Sequence, residues 1–229
     1  MDRSVRKNLR IIDPQKSYYF RNKILGWYDS NKRSFPWRRT KNPYYILVAE
    51  ILLQQTDAAK VAKEYSSFIK TFPRPAKLAT ASKSSVSRFI SKLGLDYKVN
   101  RLISIAHELE KKFNGRVPDT EEKLLKLPGI GPYIANAVLA SAYNKRVAVL
   151  DTNIIRILER FFGLRSSKPR ARTDPILWGV AQRLLPKKTN ICKTWNYALL
   201  DFGALVCSHY NPQCKECPCR RRCNYFSSL

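Results

Sequence analysis

The feature that most constrains the fold is a succession of helical segments separated by short breaks rich in proline and glycine. Apolar residues recur at helical spacing over residues 44–72, a period typical of amphipathic helices. The same spacing recurs in residues 17–30, 84–93, 98–113, 120–127, 133–143, 153–162, 176–185 and 194–207. Strand signals are scarce, and the best candidate is residues 146–150. The sequence therefore predicts an all-α protein with short connections.

The charge of the chain is strongly unbalanced. Its 43 Lys and Arg against 17 Asp and Glu give a formal net charge of +26 over 229 residues. Basic residues recur throughout, in KNLR, NKRSFPWRRTK, SKPRAR, PKK and CRRRC. This distribution is typical of a folded surface that follows a phosphate backbone, with a basic surface kept for solubility as the alternative. No strongly amphipathic basic helix favours an anionic membrane surface.

Composition excludes several protein classes. Hydrophobic residues make up 44% of the chain, which is too many for wholesale disorder. No apolar run reaches the roughly 18 residues of a membrane span. The first 20 residues contain no continuous apolar stretch of the kind found in secretory signals. We therefore expect an intracellular, folded protein that binds a polyanion.

Five of the six cysteines lie in the last 23 residues. Four of them follow the spacing C-x6-C-x2-C-x5-C: Cys207, Cys214, Cys217 and Cys223. A reducing compartment favours metal binding over disulfides. Zinc normally takes two close pairs separated by a longer stretch, so the crowding of the last three thiols favours a [4Fe-4S] cluster, with zinc as the alternative. Cys219 and Cys192 are predicted to be ordinary thiols.

The segment LPGIGPY, residues 127–133, predicts a tight turn between two helices. Gly129 and Gly131 allow the backbone to turn sharply, at least one of them with positive φ. Pro132 suits the first position of the following helix. Such a turn presents backbone N–H groups at a helix end, where a phosphate binds without readout of the base. An ordinary corner between two helices is the alternative.

Two carboxylates stand out. Asp151 directly precedes an amphipathic helix, so it is either an N-cap or an ionised group that stabilises a developing cation. Glu50 lies in the apolar helix AEILLQQT. It either binds a base in a pocket, with a pKa raised by burial, or pairs with a basic residue at an interface.

LPGIGPY, the sequence VLDTN with Asp151 placed 18 positions after Tyr133, and the four-cysteine loop together resemble the helix-hairpin-helix DNA glycosylases. This is the superfamily of endonuclease III and adenine glycosylase, and the resemblance spans roughly residues 25–225. It implies two helical domains with a DNA-binding cleft between them. Residues 41–145 form a six-helix domain with the hairpin, whereas residues 1–40 and 146–229 form the domain with the [4Fe-4S] loop.

The resemblance also implies roles for individual residues. Relatives that cut the DNA strand carry a lysine where this chain has Tyr133, so we expect base hydrolysis without lyase activity. Asp151 stabilises the oxocarbenium-like sugar or orients the attacking water, and Glu50 contacts or protonates the extruded base. Tyr133 lines the pocket. The residues expected to contact DNA are Gln54 and Gln55 as a wedge, Gly129, Gly131, Arg38 and Arg39.

The base removed is predicted from smaller signals. FPWRR and LLQQT are similar to adenine glycosylases, which act opposite 8-oxoguanine or guanine and usually continue into a further domain. LGL and the D-x-N-hydrophobic-x-R pattern of VLDTNIIR are similar to thymine/uracil mismatch glycosylases. We expect a monomeric, cytoplasmic, nucleoid-associated enzyme that removes thymine or uracil opposite guanine from double-stranded DNA. An adenine glycosylase and a non-catalytic iron–sulfur DNA-binding protein are the alternatives.

Overall fold

The computed structural model describes residues 12–94 and 96–229, which contain eleven α-helices and no β-strand. The all-α prediction is therefore confirmed. The helices are α1 (Pro14–Asn31), α2 (Pro43–Leu53), α3 (Ala58–Thr71), α4 (Pro75–Ala79), α5 (Lys83–Ile90), α6 (Tyr97–Phe113), α7 (Glu121–Leu124), α8 (Pro132–Ser141), α9 (Thr152–Phe162), α10 (Pro175–Leu184) and α11 (Thr189–Leu205). Within these ranges no helix is both long enough and apolar enough to cross a bilayer. The interpretations of residues 1–11, including KNLR, and of Leu95 in LGL lie outside the described residues.

The chain divides into two compact units. The central unit, Ser34–Lys145, contains α2 to α8. The terminal unit combines residues 12–33 with Arg146–Leu229 and contains α1 and α9 to α11. The two ends of the sequence therefore contribute to one unit, and the continuous middle of the chain forms the other.

An aromatic cluster forms the core of the terminal unit. Phe20 of α1 stacks on Phe161 of α9 with 4.5 Å between ring centroids, and it meets Trp195 of α11 edge-on at 5.8 Å. Phe20 and Trp195 have no exposed surface, and complete burial of a side chain of this kind contributes about 1.5–3 kcal/mol. The core thus joins α9 to the first and last helices of the unit.

Two apolar helices form the centre of the central unit. Helix α2 is buried from Ile46 to Leu52, and α8, which packs against it, is buried from Ile134 to Ser141. A helix that is apolar all round belongs in a core. Polar residues on α2 and α8, such as Glu50 and Asn136, are therefore buried with them.

The helical pattern over residues 44–72 is interrupted in the structure. Helix α2 ends at Leu53, and α3 begins at Ala58 after a turn. Asp57 causes the restart, since its carboxylate accepts hydrogen bonds from the N–H groups of Ala59 at 2.8 Å and Lys60 at 3.2 Å, as an N-cap does. The helical spacing over residues 44–72 thus covers two helices, and the break between them places Gln54 and Gln55 in a turn. Helix α4 likewise starts inside FPRP, where the sequence predicted only a break.

The best strand candidate of the sequence, residues 146–150, forms neither a strand nor a helix, as the all-α prediction requires. Two side-chain amides replace the missing ladder. Gln182 accepts from Ala148 N–H and donates to Arg146 C=O, both at 2.9 Å. Asn196 does the same one residue further along, accepting at 3.4 Å and donating at 3.0 Å. Buried backbone polar groups thus find their partners outside any sheet.

We predict that Asn196→Ala lowers the free energy of unfolding by about 1–3 kcal/mol, since it leaves a backbone N–H and C=O without partners in a buried place. Asn196 is only 4% exposed. Urea unfolding measures the change. Asn22→Ala on the exposed surface of α1 is the matched control and is expected to stay within about 0.5 kcal/mol of the unsubstituted protein. Equal stability of both variants would refute the role assigned to Asn196.

Candidate functional site

Asp151 caps the N-terminus of α9 with both of its carboxylate oxygens engaged. Oδ1 accepts from the N–H of Ile154 at 2.8 Å, and Oδ2 accepts from Nδ2 of Asn153 at 2.8 Å. The N-cap interpretation is confirmed. It does not exclude a chemical role, because the same contacts hold the carboxylate in one orientation.

A second group of contacts connects Asn153, the partner of Asp151, to α11. Nη2 of Arg156 donates to Oδ1 of Asn153 at 2.8 Å and to the carbonyl of Gly203 at 2.7 Å. Helix α11 approaches closely here, since a Cβ at Gly203 would lie 2.7 Å from Cβ of Asn153. Sequence reasoning noted Asn153 and Arg156 only as part of a pattern, and the structure makes them the residues that position Asp151.

Burial raises the pKa of Asp151 above its ordinary value. The hydrogen bonds from Ile154 N–H and Asn153 and the charge of Arg156 act in the opposite direction but do not offset burial. The sequence predicts that the N-terminus of the helix keeps the Asp151 carboxyl ionised. The structure adds burial, which favours the neutral form. Asp151 is therefore a poorly solvated carboxyl that loses its proton at a higher pH than an exposed aspartate does.

The predicted hairpin turn is present between α7 and α8. Gly129 has φ of +68°, which confirms the predicted left-handed glycine, and Ile130 N–H closes the turn on Leu127 C=O at 3.2 Å. Gly131 is extended, and Pro132 opens α8. Among the described residues nothing accepts a hydrogen bond from the N–H of Gly129 or Gly131. A Cβ at Gly131 would meet only open space, so the turn presents backbone donors to whatever approaches α8.

The central unit buries the other carboxylate. Glu50 is 5% exposed on α2, as the sequence predicted for this apolar helix. Tyr133 is half-buried in the first turn of α8. Asn136 follows one turn later and is 7% exposed, and its Oδ1 has no hydrogen-bond partner among residues 12–94 and 96–229. Sequence reasoning missed Asn136, although an amide inside the run IANAVLAS is a visible signal.

Gln54 and Gln55 occupy the turn between α2 and α3. Gln55 is exposed and has φ of +55°, a conformation that is uncommon for residues other than glycine. Gln54 is half-buried, and its Oε1 accepts from Nη1 of Arg101 at 2.6 Å. The turn is thus held by contacts rather than free.

Arg38 and Arg39 follow the buried Trp37 in a short 3₁₀ turn, Pro36–Arg38. The guanidinium of Arg38 lies over the ring of Phe35 at 5.1 Å. Arg39 is exposed and donates from Nη2 to Oγ of Ser34 at 2.7 Å. Arg39 therefore lies at the surface, whereas Arg38 is half-buried against Phe35.

The four patterned cysteines line one small cavity in the terminal unit: Cys207, Cys214, Cys217 and Cys223. All of them are free thiols. Arg160 of α9 also lines this cavity, donating from Nη1 to Cys207 Sγ at 3.6 Å, and its carbonyl accepts from Cys223 Sγ at 3.5 Å. Burial and then the three neighbouring thiols raise the pKa of Cys214. The structure therefore brings together the thiols that the spacing singled out.

Cys219, which the sequence predicted to be an ordinary thiol, does not line this cavity. It is 1% exposed, and its side chain hydrogen-bonds Cys217, which lowers the pKa of Cys217 to about 7. No group of three or more His, Cys, Asp or Glu side chains in residues 12–94 and 96–229 is arranged to hold a metal ion. The cluster expected from the spacing therefore stays a prediction.

The predicted residues thus fall into two groups, one in each unit. In the terminal unit, α9 carries Asp151 at its start and Arg160 beside the cysteine cavity. In the central unit, Arg101 connects Gln54 to the hairpin, because a Cβ at Gly129 would collide with its guanidinium. Arg101 carries no sequence signal, since its partners lie far away in the chain.

Comparison with known proteins identifies the family. Residues 48–183 match the HhH-GPD superfamily base excision DNA repair proteins. The chain is 38% identical to a thymine-DNA glycosylase of Aeropyrum pernix over 95% of this chain and 98% of that protein. An adenine DNA glycosylase of Buchnera aphidicola is 34% identical over 90% of this chain, which spans 58% of that longer protein.

A solved structure shows the same likeness in three dimensions. The structure of a thermostable thymine-DNA glycosylase superimposes with a TM-score of 0.86 at 31% identity, covering 94% of this chain and 98% of that one. These similarities are consistent with the helical fold, the hairpin and the aspartate that caps α9. The chain belongs to the HhH-GPD superfamily of base excision DNA repair proteins.

Proposed function

We propose that this protein is a monofunctional DNA glycosylase that hydrolyses the N-glycosidic bond of thymine or uracil opposite guanine and leaves an abasic site in an uncut strand. The observation that carries this proposal is the 38% identity to a thymine-DNA glycosylase across nearly the full length of both proteins. The structural likeness to a thermostable thymine-DNA glycosylase supports it. The second candidate, an adenine glycosylase, is favoured by the LLQQT segment and by the 34% identical relative.

Asp151 supplies the chemistry of bond cleavage in this proposal. Departure of the base leaves positive charge on the sugar, and a carboxylate fixed beside it stabilises that charge. Ile154 N–H and Asn153 hold both oxygens of Asp151 in place, so little reorganisation is needed during the reaction. Only the ionised form performs this role, which couples the rate to the raised pKa of Asp151.

DNA binding is proposed to begin at the hairpin. The N–H groups of Gly129 and Gly131 and the start of α8 suit a backbone phosphate. The net charge of +26 adds affinity that is independent of sequence and weakened by salt. Neither feature distinguishes bases, so selection requires extrusion of the target base. Glu50 and Tyr133 are the proposed base contacts, and the turn of Gln54 and Gln55 is the proposed wedge.

The chain has no amine at the position expected for a strand-cutting lysine. Tyr133 stands there, in the first turn of α8, and a phenol does not form a Schiff base with an abasic sugar. The proposed reaction therefore stops after base removal.

A [4Fe-4S] cluster is proposed as the resident cofactor of the cysteine cavity. Four thiols line that cavity, and burial together with the other three thiols raises the pKa of Cys214, so a cationic group that replaces the thiol protons relieves the crowding. Cys207, Cys214, Cys217 and Cys223 would hold it, and Cys₄ ligation is usual for such clusters. Its contribution is structural, since it fixes the loop that contains Arg220–Arg222.

The substrate is tested with three duplexes under single-turnover conditions, containing G·T, G·U or A·8-oxoguanine. We expect strand scission on G·T and G·U only after alkali, because an abasic site is alkali-labile and the protein has no lyase activity of its own. Scission on A·8-oxoguanine alone identifies the adenine enzyme. Absence of scission on all three identifies a non-catalytic DNA-binding protein.

For Asp151→Asn we expect the rate of base release to fall at least about 100-fold, as when one stabilising group is removed from a charged transition state. Asparagine caps helices nearly as well as aspartate, so the thermal midpoint and mismatch affinity should change little. In the unsubstituted protein the rate should fall as pH drops through the raised pKa of Asp151, above the ordinary value near 4. An unchanged rate of base release in Asp151→Asn would show that Asp151 is only a helix cap.

The cluster is tested by chemical assay of iron and acid-labile sulfide in the purified protein. We expect about four of each per chain, as for a [4Fe-4S] cluster, and their loss in Cys217→Ala. Cys192→Ala is the matched control, since Cys192 lies outside the cavity in α11, and it should retain both. Stoichiometric zinc without sulfide would contradict the assignment.

A further inference from the structure

Lys98 is a buried cation that the proposed chemistry does not use. It has no exposed surface, and its Nζ donates to Leu52 C=O at 2.7 Å and to Thr56 Oγ1 at 2.8 Å. Lysine is rarely buried without such partners. The carbonyl of Leu52 is one of those left free at the C-terminus of α2, where a positive charge is favourable. Lys98 therefore fastens α6 to both ends of the turn between α2 and α3.

Arg101 lies one turn after Lys98 on α6 and contacts two loops at once. Its Nη1 donates to Gln54 Oε1 at 2.6 Å. The same guanidinium covers Gly129, where any Cβ would collide with it. The absence of a side chain at Gly129 thus permits both its positive φ and the close approach of Arg101. One side chain connects the Gln54–Gln55 turn with the hairpin.

Tyr97 completes the arrangement. Its hydroxyl lies 3.3 Å from Oε1 of Gln55, and its ring lies 5.7 Å from Cζ of Arg101. Gln55 holds a left-handed conformation, which is unfavourable for a residue other than glycine. Contacts from Tyr97, Lys98 and Arg101 therefore hold a strained turn in one position.

We propose that Arg101, supported by Lys98, is a positioning residue that keeps the Gln54–Gln55 turn and the hairpin in one register. The proposal rests on the proposed function, in which the hairpin holds a phosphate and the turn displaces a base. Two DNA contacts act together in base extrusion only if the distance between them is fixed. Arg101 fixes that distance without touching the extruded base, so its loss weakens extrusion rather than bond cleavage.

The test uses Arg101→Met, which keeps the length of the stem and removes the guanidinium. Arg88→Met is the matched control, because Arg88 is an exposed arginine of the central unit on α5. Single-turnover rates at saturating protein are measured on a G·U duplex and on a single strand containing uracil. The duplex requires extrusion, whereas the base in a single strand is already accessible.

We expect Arg101→Met to lower the duplex rate about 10- to 100-fold, a range typical of small misplacements, and to leave the single-strand rate within about 2-fold. Arg88→Met should change neither rate by more than about 2-fold. Arg101 and Gln54 act as a unit through their contact. The double variant Arg101→Met with Gln54→Ala should therefore lower the duplex rate no more than the more damaging single substitution does.

Three results would overturn the role of Arg101. These are an unchanged duplex rate, an equal loss on both substrates, and full additivity with Gln54→Ala. If the unsubstituted protein does not act on single strands, 2-aminopurine beside the target base reports extrusion directly, and an undiminished fluorescence rise in Arg101→Met is then the contradicting result. An unsubstituted protein inactive on every uracil substrate would instead overturn the proposed function and this role with it.

Discussion

The terminal unit depends on the way two arginines of α9 hold the end of α11 and the segment that follows it. Arg156 and Arg160 lie one turn apart on α9 and donate to four carbonyls: Gly203, Cys207, Ser208 and His209. Gly203 lies in the last turn of α11, where carbonyls have no partners within the helix, and the other three carbonyls belong to the segment after α11. The two guanidinium groups also favour the negative end of α11. The same helix, about 16 Å long, begins at Asp151 and reaches the cysteine cavity. One helix therefore sets the position of the proposed catalytic group and of the proposed cluster loop.

Each unit contains a poorly solvated ionisable group that hydrogen bonds hold in place. Burial raises the pKa of Asp151 and lowers that of Lys98 to about 8. In both cases the partners are fixed before any substrate arrives, so the cost of desolvation falls on folding rather than on the reaction. A carboxylate that is poorly hydrated stabilises a developing cation more strongly than a carboxylate in water does. Lys98 thus stabilises a turn of the central unit, and Asp151 supplies a carboxyl group whose charge depends on pH.

Local signals predicted most of the helices, a left-handed glycine in the hairpin, the Asp151 cap and the grouping of four cysteines, because each depends on neighbouring residues. The break after α2 escaped prediction because apolar spacing continues through it while Asp57 restarts the helix. The irregular segment before Asp151 has the strongest strand signal of the sequence, whereas its actual partners, the side-chain amides of Gln182 and Asn196, carry no local signal. Lys98 and Arg101 were missed because their partners in the turn lie more than 40 residues away.

The central claim is that the protein breaks a glycosidic bond by hydrolysis and leaves the strand intact. Mass spectrometry of a reaction on a G·T duplex, with the small molecules and the DNA strands analysed separately, tests it most directly. The account predicts free thymine in amounts equal to a full-length strand that has lost that base. Thymine still attached to the strand, release of a different base, or a strand cut by the protein itself would contradict it.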